Sequence, residues 1–168
     1  MVIWLVGMYA SGKSTLAEEI RDILRQSNNN VLVLNGGDLR KILGNDLSYT
    51  LEDRMLNARH ISGVCQYLGD QGMIVICSML SLFEETRQWN RKNIYNYYEI
   101  YIDVSMKQLL ARDSKNLYRK ALNGDTDQVV GVDIEFIKPE NSDLILDNNK
   151  DRQDLSDLAK KVINIINV

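Results

Sequence analysis

The residues from Gly7 to Thr15 constrain the fold more than any other part of this chain. They read Gly-Met-Tyr-Ala-Ser-Gly-Lys-Ser-Thr, a full match to the phosphate-binding pattern Gly-x-x-x-x-Gly-Lys-[Ser/Thr]. An apolar run, Val2–Val6, comes directly before the loop, and a pattern of helical period begins at Lys13. This order of strand, loop and helix predicts a nucleotide-binding α/β protein.

The residue types of the loop suit the binding of phosphate. Because Gly7 and Gly12 have no Cβ, successive backbone N–H groups can point at phosphate oxygens beside a helix N-terminus. Lys13 is expected to bridge the β- and γ-phosphates of ATP, and the Ser14 hydroxyl is expected to bind Mg²⁺. The loop residues expected to contact ATP are Gly7, Ala10, Ser11, Gly12, Lys13, Ser14 and Thr15.

Short apolar runs alternate with longer amphipathic segments along the chain. The predicted strands are Val2–Val6, Val31–Leu34, Met73–Cys77, Tyr98–Val104 and Leu144–Leu146. The predicted helices are Lys13–Gln26, Leu51–Gly69, Leu82–Lys92, Met106–Lys120 and Leu155–Ile166. The alternation predicts a three-layer P-loop α/β sandwich, in which helices cover both faces of a five-stranded parallel sheet. A single Pro and the lack of a linker-like stretch favour one domain over residues 1–168.

Composition excludes several classes of protein. Twenty Lys and Arg residues against twenty-three Asp and Glu residues give a net charge of −3, which argues against a broadly basic nucleic-acid-binding protein. No apolar stretch is long enough for a membrane span, and the first residues lack the features of a signal peptide, so a cytoplasmic location is expected. Cys65 and Cys77 lie in apolar surroundings and are interpreted as core residues.

The third strand narrows the class of P-loop protein. It ends in Ser78, where many P-loop ATPases place an Asp that organises Mg²⁺, and the chain has no Asn-Lys-x-Asp motif for guanine. These features favour a compact phosphotransferase, in which catalysis rests on positioning and charge neutralisation.

Five further blocks, in order, resemble the adenylylsulfate (APS) kinase family. The blocks are Leu34–Arg40, Leu47–His60, Ile76–Ser81, Arg112–Ala121 and a final pair, Gly131–Asp133 with Asp143–Asp147. Among them, Arg-Asp-Ser-Lys-Asn-Leu-Tyr-Arg-Lys-Ala at 112–121 is similar to the family's Arg-Asp-Pro-Lys-Gly-Leu-Tyr-x-Lys-Ala. The resemblance implies transfer of the ATP γ-phosphate to a ribose 3′-hydroxyl, and a homodimer.

The resemblance also assigns residues to the acceptor nucleotide. It implies that Arg40, Arg54 and Arg59 bind its phosphate-like groups, that Asn57 and Ser78 position it, and that Tyr49 stacks on its base. It further implies a lid over about 112–136, in which Arg112 contacts ATP, and Lys115, Arg119 and Lys120 neutralise charge on the transferred group. On residue type alone, Arg54 and Arg59 fit equally well on a solvated helix face, paired with Glu52 or Asp53.

The chain departs from the family pattern at the acceptor side. Asn35-Gly36-Gly37-Asp38 stands in place of Asp-Gly-Asp-Asn, so Asp38 is expected either to act as the catalytic and metal-linked carboxylate or to cap a helix. Val129 replaces an aromatic residue that closes one side of the base, and Leu56 and His60 replace a Glu and an Arg. Phe136 fits either a compensating stacking role or the core.

These departures leave the donor side intact and alter the acceptor side. With Lys13 and Asp38 as the catalytic residues, the sequence therefore predicts a nucleotide 3′-hydroxyl kinase whose acceptor has changed, for example to cytidine diphosphoramidate of capsule phosphoramidate synthesis. A smaller pyrimidine needs less stacking area. The alternatives are an adenylylsulfate kinase of sulfate activation and, in a different class, a nucleotide-binding sensor that has lost the chemistry.

Overall fold

Five parallel strands form the centre of the computed structural model, which describes residues 1–27, 30–44, 46–150 and 155–166. They are β1 (Val2–Val6), β2 (Val31–Asn35), β3 (Ile74–Met79), β4 (Tyr97–Asp103) and β5 (Leu144–Asp147). Their order in the sheet is β2-β3-β1-β4-β5, and every neighbouring pair is parallel. The predicted five-stranded parallel sheet is confirmed.

Helices cover both faces of this sheet. In the described ranges they are α1 (Lys13–Leu24), α2 (Gly36–Ile42), α3 (Leu51–Asp70), α4 (Glu84–Asn93), α5 (Met106–Ala111), α6 (Leu117–Leu122) and α7 (Ser156–Ile165). None of these helices is long and apolar enough to cross a bilayer.

The alternation of side chains along β1 explains the three layers. Ile3 and Leu5 face a core shared with α1 and α7, whereas Val2, Trp4 and Val6 face a core shared with α3. All five side chains are fully buried, as expected for a central strand covered on both faces. The central position of β1 fixes the loop that follows it at the middle of the sheet edge.

The two cysteines lie in the second of these cores. Cys65 on α3 and Cys77 on β3 are free thiols and are fully buried. Burial raises the pKa of the Cys77 thiol well above its ordinary value, so it stays protonated. The interpretation of both as core residues is confirmed.

The predicted single helix over Met106–Lys120 is wrong. The structure ends α5 at Ala111 and begins α6 at Leu117, because the Asp113 carboxylate accepts hydrogen bonds from the N–H groups of Leu117 and Tyr118, both at 2.8 Å. Asn116 adopts φ 54° between the two helices. A side chain that binds free helical N–H groups starts a new helix and interrupts the old one.

Candidate active site

The carboxyl ends of β1, β2 and β3 bring the sequence motifs together at one edge of the sheet. Ser78 on β3 lies in register with Leu5 of β1 on one side and with Asn35 of β2 on the other. The phosphate loop leaves β1 and α2 leaves β2 at this edge. Ligands of open parallel sheets bind in this position, beyond the strand ends.

Two glycines set the path of the phosphate loop. A Cβ on Gly7 would lie 3.1 Å from the carbonyl oxygen of Ile102, and a Cβ on Gly12 would lie 2.9 Å from Nδ2 of Asn148. Gly12 also adopts φ 93°, which side chains with a Cβ rarely tolerate. The loop therefore packs its backbone directly against neighbouring segments, and glycine is required at both positions.

Asn148, directly after β5, is hydrogen-bonded to the phosphate loop. Its Nδ2 donates to the carbonyl oxygen of Ser11 at 3.0 Å, and the residue is 2% exposed. Arg112 donates to the carbonyl oxygens of Asn148 at 2.9 Å and Lys150 at 2.7 Å. Arg112 thus connects to the phosphate loop through Asn148, and its expected contact with ATP stays a prediction.

Lys13 is held inside the loop. Its Nζ donates to the carbonyl oxygen of Met8 at 2.6 Å and to Ser11 Oγ at 3.3 Å. Burial lowers the pKa of Lys13 to about 7, because the ammonium group loses water and has no carboxylate partner in the described structure. A phosphate group placed in the loop would favour the charged form of this side chain.

Ser14 and Thr15 are exposed on the first turn of α1, and Ala10 adopts φ 63° in the loop. Ser14 Oγ accepts a hydrogen bond from Asn35 Nδ2 at 3.0 Å. Asn35 also caps α2, because its Oδ1 accepts from the Gly37 N–H at 3.1 Å. One amide therefore links the start of α1 to the start of α2.

Asp38 occupies the first turn of α2, so the alternative in which it caps that helix is wrong: Asn35 is the cap. The Asp38 side chain is 70% exposed, and its Oδ1 lies 3.9 Å from Lys41 Nζ. Asp38 lines a cleft of about 190 Å³ together with Ser14, Glu18 and Asn35. Asp38 and Ser14 thus line the same cleft.

Arg40, Tyr49 and Arg54 form one cluster. The guanidinium carbons of Arg40 and Arg54 lie 4.8 Å and 5.3 Å from the centre of the Tyr49 ring. Arg40 donates to the carbonyl oxygens of Leu47 and Ser48, and Arg54 donates to that of Tyr49 at 2.8 Å. Tyr49 is 60% exposed even with both guanidinium groups over its ring.

Two further residues expected near the acceptor lie inside the protein. Asn57 is buried, and its Oδ1 has no hydrogen-bond partner within the described ranges. Ser78 is buried at the end of β3. The buried Asn57 oxygen needs a donor, so this residue has unused capacity for a ligand.

Arg59 lies on α3, as Arg54 does, but its side chain contacts α4. Its Nη2 lies 2.8 Å from Glu85 Oε1 on α4, and both side chains are exposed. The alternative that paired Arg54 and Arg59 with Glu52 or Asp53 is wrong, because Arg54 binds backbone carbonyls and Arg59 binds Glu85.

The segment predicted as a lid is anchored at Tyr118. This ring is fully buried, and its hydroxyl donates to the carbonyl oxygen of Tyr9 in the phosphate loop at 2.8 Å. The cations of the segment, in contrast, are exposed to solvent: Lys115, Arg119 and Lys120.

Val129 and Val130 are buried at the far end of the segment, and Val129 packs into the core shared with α1. Phe136 lies 6.0 Å from the ring of Tyr101 and lines a cavity of about 480 Å³ beside Met8. Phe136 thus both contacts the core and faces open space.

Three residues that bind neighbouring parts of the site were not predicted from the sequence as site residues: Asn148, Tyr118 and Gln128. Gln128 accepts a hydrogen bond at its carbonyl oxygen from Arg54 Nη2 at 2.7 Å, across 74 positions of sequence. The position of Asn148, two residues after the predicted strand Leu144–Leu146, was the available signal, because loops after parallel strands form the ligand edge.

Known kinases are similar to this chain over most of its length. A family model described as adenylylsulphate kinase matches residues 1–147. A cytidine diphosphoramidate kinase of Campylobacter jejuni is 43% identical over 162 residues, which are 96% of this chain and 94% of that protein. A probable adenylyl-sulfate kinase of Aeropyrum pernix is 33% identical over 151 residues, 88% of this chain and 82% of that one.

A solved structure gives the same result for the fold. The Mycobacterium tuberculosis APS kinase CysC, in complex with AMPPNP and APS, superposes with a TM-score of 0.87 at 31% identity. The match covers 97% of this chain and 95% of that one.

Proposed function

Since this chain belongs to the adenylylsulphate kinase family, we propose that it transfers the γ-phosphate of ATP to the ribose 3′-hydroxyl of cytidine diphosphoramidate. The chain is an ATP-dependent phosphotransferase that acts on a small nucleotide. The acceptor is proposed from one observation: its side of the site offers one exposed aromatic ring, Tyr49, while Val129 lies in the core. A pyrimidine needs less stacking area than a purine.

The likeness to the Campylobacter jejuni enzyme supports this acceptor. That cytidine diphosphoramidate kinase is 43% identical to this chain, whereas the Aeropyrum pernix probable adenylyl-sulfate kinase is 33% identical.

On the donor side, the loop N–H groups would hold the phosphates of ATP. Gly7, Ala10, Ser11 and Gly12 would contribute backbone, and Thr15 would continue the contact along α1. Lys13 would carry its proton when phosphate is bound and would neutralise charge as the γ-phosphoryl group moves. Arg112 would fix the loop after β5 and contact the nucleotide from there.

The oxygen donors at the start of α1 and α2 fit Mg²⁺. Ser14 and Asp38 line one cleft, and Mg²⁺ prefers a few oxygen ligands from protein with the remainder from water and phosphate. When bound, Mg²⁺ would neutralise charge on the β- and γ-phosphates. Asn35 would orient the Ser14 hydroxyl, and Asp38 would orient the acceptor hydroxyl or the water molecules around the metal.

On the acceptor side, Arg40 and Arg54 would bind the anionic groups of the nucleotide while Tyr49 stacks on its base. Asn57 would donate or accept at the ribose, and Ser78 would support it from the end of β3. Arg59 would join this set only by leaving Glu85.

We further propose one kinase domain over residues 1–168, with a lid over about 112–136 that excludes water during transfer. Because Tyr118 is buried against the phosphate loop, the movement would lie in the exposed part that carries Lys120. We also propose that the chain forms a homodimer, as the resemblance implies. Light scattering would measure this oligomeric state.

One experiment distinguishes the proposed kinase from its two alternatives, an adenylylsulfate kinase and a nucleotide-binding sensor. Purified protein is given MgATP with cytidine diphosphoramidate, with APS or with nucleoside diphosphates, and ADP release is measured. Turnover with the cytidine compound alone supports the proposal, and phosphate on the 3′-hydroxyl is then located by NMR. Turnover with APS identifies an adenylylsulfate kinase. ATP binding without acceptor-dependent ADP release identifies a sensor.

A further inference from the structure

Gln128 adopts a strained backbone that its neighbours hold in place. Its φ is 58°, in the left-handed region that residues with a Cβ rarely occupy. The Asp133 carboxylate accepts from the Gln128 N–H and from the Val129 N–H, the second at 2.6 Å, and Arg54 binds the Gln128 carbonyl oxygen at 2.7 Å. Strain held from two sides is typical of functional positions.

The side chain of Gln128 carries an unsatisfied group. Its Oε1 is shielded from solvent and has no hydrogen-bond partner within the described part of the chain. A buried carbonyl oxygen without a donor costs about 1–3 kcal/mol relative to a satisfied one. A ligand that donates an N–H group to this oxygen would remove the cost.

The position of Gln128 indicates which ligand that is. Arg54 donates to the carbonyl oxygens of both Gln128 and Tyr49, so one guanidinium joins the two residues. Tyr49 presents the exposed ring proposed to stack on the acceptor base. Arg54 thus ties the backbone of Gln128 to the backbone of Tyr49, which brings residue 128 to the side of the surface proposed for the acceptor base.

We infer that Gln128 is a specificity-determining residue that reads the acceptor base. Its Oε1 accepts a hydrogen bond from an exocyclic amino group, and its Nε2 donates to the adjacent unprotonated ring nitrogen. The inference rests on the proposed function for the existence of an acceptor site beside Tyr49, and it adds the chemical class of base that the site accepts.

The carboxamide distinguishes bases by their donor and acceptor pattern. Cytosine presents an amino donor at N4 beside an acceptor at N3, and adenine presents the equivalent pair at N6 and N1. Uracil and hypoxanthine present a carbonyl beside an N–H group, which reverses both partners. A site that is built to hydrogen-bond a group rejects the analogue that lacks it more strongly than a merely apolar site does.

Equilibrium binding tests this inference without requiring turnover. With ADP and Mg²⁺ present in excess, calorimetry measures the dissociation constants of cytidine 5′-diphosphate against uridine 5′-diphosphate. Adenosine against inosine 5′-monophosphate forms a second pair. We expect the parent to prefer the amino base of at least one pair by about tenfold or more, the value of one buried hydrogen bond.

The Gln128→Met variant removes both polar atoms and keeps the length of the side chain. It should reduce that preference to about threefold or less, with an unchanged melting temperature. Gln128→Glu keeps an acceptor oxygen but replaces the Nε2 donor with a second acceptor, so it should also weaken the preference. Gln88→Met makes the same chemical change at an exposed site on α4, where Gln88 binds Glu84, and should behave as the parent.

The outcomes separate this inference from the proposed function. If the parent phosphorylates APS and not the cytidine compound, the proposed acceptor is wrong, and the adenosine and inosine pair still tests Gln128. If Gln128→Met discriminates as well as the parent, or if the parent shows no preference in either pair, the role of Gln128 is wrong whichever acceptor is phosphorylated.

Discussion

The proposed donor side and the proposed acceptor side of this site are built from different parts of the chain. The phosphate loop is held by backbone contacts and by buried partners such as Asn148 and Tyr118. The acceptor side consists of long side chains, Arg40, Tyr49 and Arg54, stacked at a partly exposed surface. Backbone recognition suits phosphate, which is the same in every ATP-dependent enzyme, whereas side chains can change without disturbing the sheet.

The difference explains where the chain departs from its family pattern. A substitution at Gly12 would place a Cβ 2.9 Å from Asn148 Nδ2, so the donor side tolerates little change. Val129, in contrast, packs in the core in place of an aromatic residue, and the sheet is unaffected. Acceptor specificity can therefore evolve while ATP binding stays constant. Substitutions on the donor side should therefore affect the use of ATP, and substitutions on the acceptor side should affect the use of the acceptor.

The largest effect is expected for Lys13→Ala. Removal of the cation that neutralises the transferred phosphoryl group should reduce kcat by about a thousandfold or more. The melting temperature should not fall, because the variant removes a partly buried ammonium that has no carboxylate partner in the described structure. Steady-state kinetics and thermal unfolding measure the two effects. Activity near that of the parent would contradict the donor-side assignment.

Arg54→Met should reduce kcat/KM for the acceptor by about ten- to a hundredfold, because a charge-assisted contact to an anion is lost. It also removes the bonds to the carbonyl oxygens of Tyr49 and Gln128. The KM for ATP should change less than twofold. Equal losses for both substrates would mean that the two sides are not independent.

Tyr49→Ala should raise the KM of the acceptor by about tenfold, the value of one base stacked on an aromatic ring. Tyr49→Phe keeps the ring and should leave this KM near that of the parent. The KM for ATP is the internal control in both variants. An unchanged acceptor KM in Tyr49→Ala would leave the ring without a role in binding.

The pKa of Lys13 predicts a pH dependence confined to the donor side. Because that pKa is about 7 in the free protein, Lys13 is mostly neutral at pH 8, and ATP binding must add a proton to it. Affinity for ATP should fall by about fivefold between pH 7 and pH 8. Calorimetry in buffers of different ionisation enthalpy should detect net proton uptake at pH 8. Lys13→Ala should abolish that uptake, and persistence of it would assign the proton to another group.

The smallest effect is expected for Arg59→Ala. Its guanidinium forms an exposed ion pair with Glu85, and such pairs contribute about 0–1 kcal/mol. The acceptor KM should therefore change about twofold or less, and Glu85→Gln should match it. A tenfold rise in Arg59→Ala alone would show that Arg59 leaves Glu85 to bind the acceptor, and would extend the acceptor side along α3.

Much of the fold was predictable because it depends on local patterns. Apolar runs predicted the five strands, and the motif at Gly7–Ser14 predicted the loop between β1 and α1. The helix α2 and the break between α5 and α6 were not predicted. Both depend on single polar side chains, Asn35 and Asp113, that bind nearby N–H groups in competition with other conformations.

By itself the sequence determined the phosphate loop and the parallel sheet, because motif spacing and hydrophobic period are properties of neighbouring positions, and it predicted which residues would contact the acceptor. Only the tertiary structure decided which of these residues meet. Arg54 binds a carbonyl oxygen 74 positions away, and Arg59, five residues further along the same helix, binds Glu85. Such contacts depend on how helices are placed around the sheet. No local pattern in the chain records that placement.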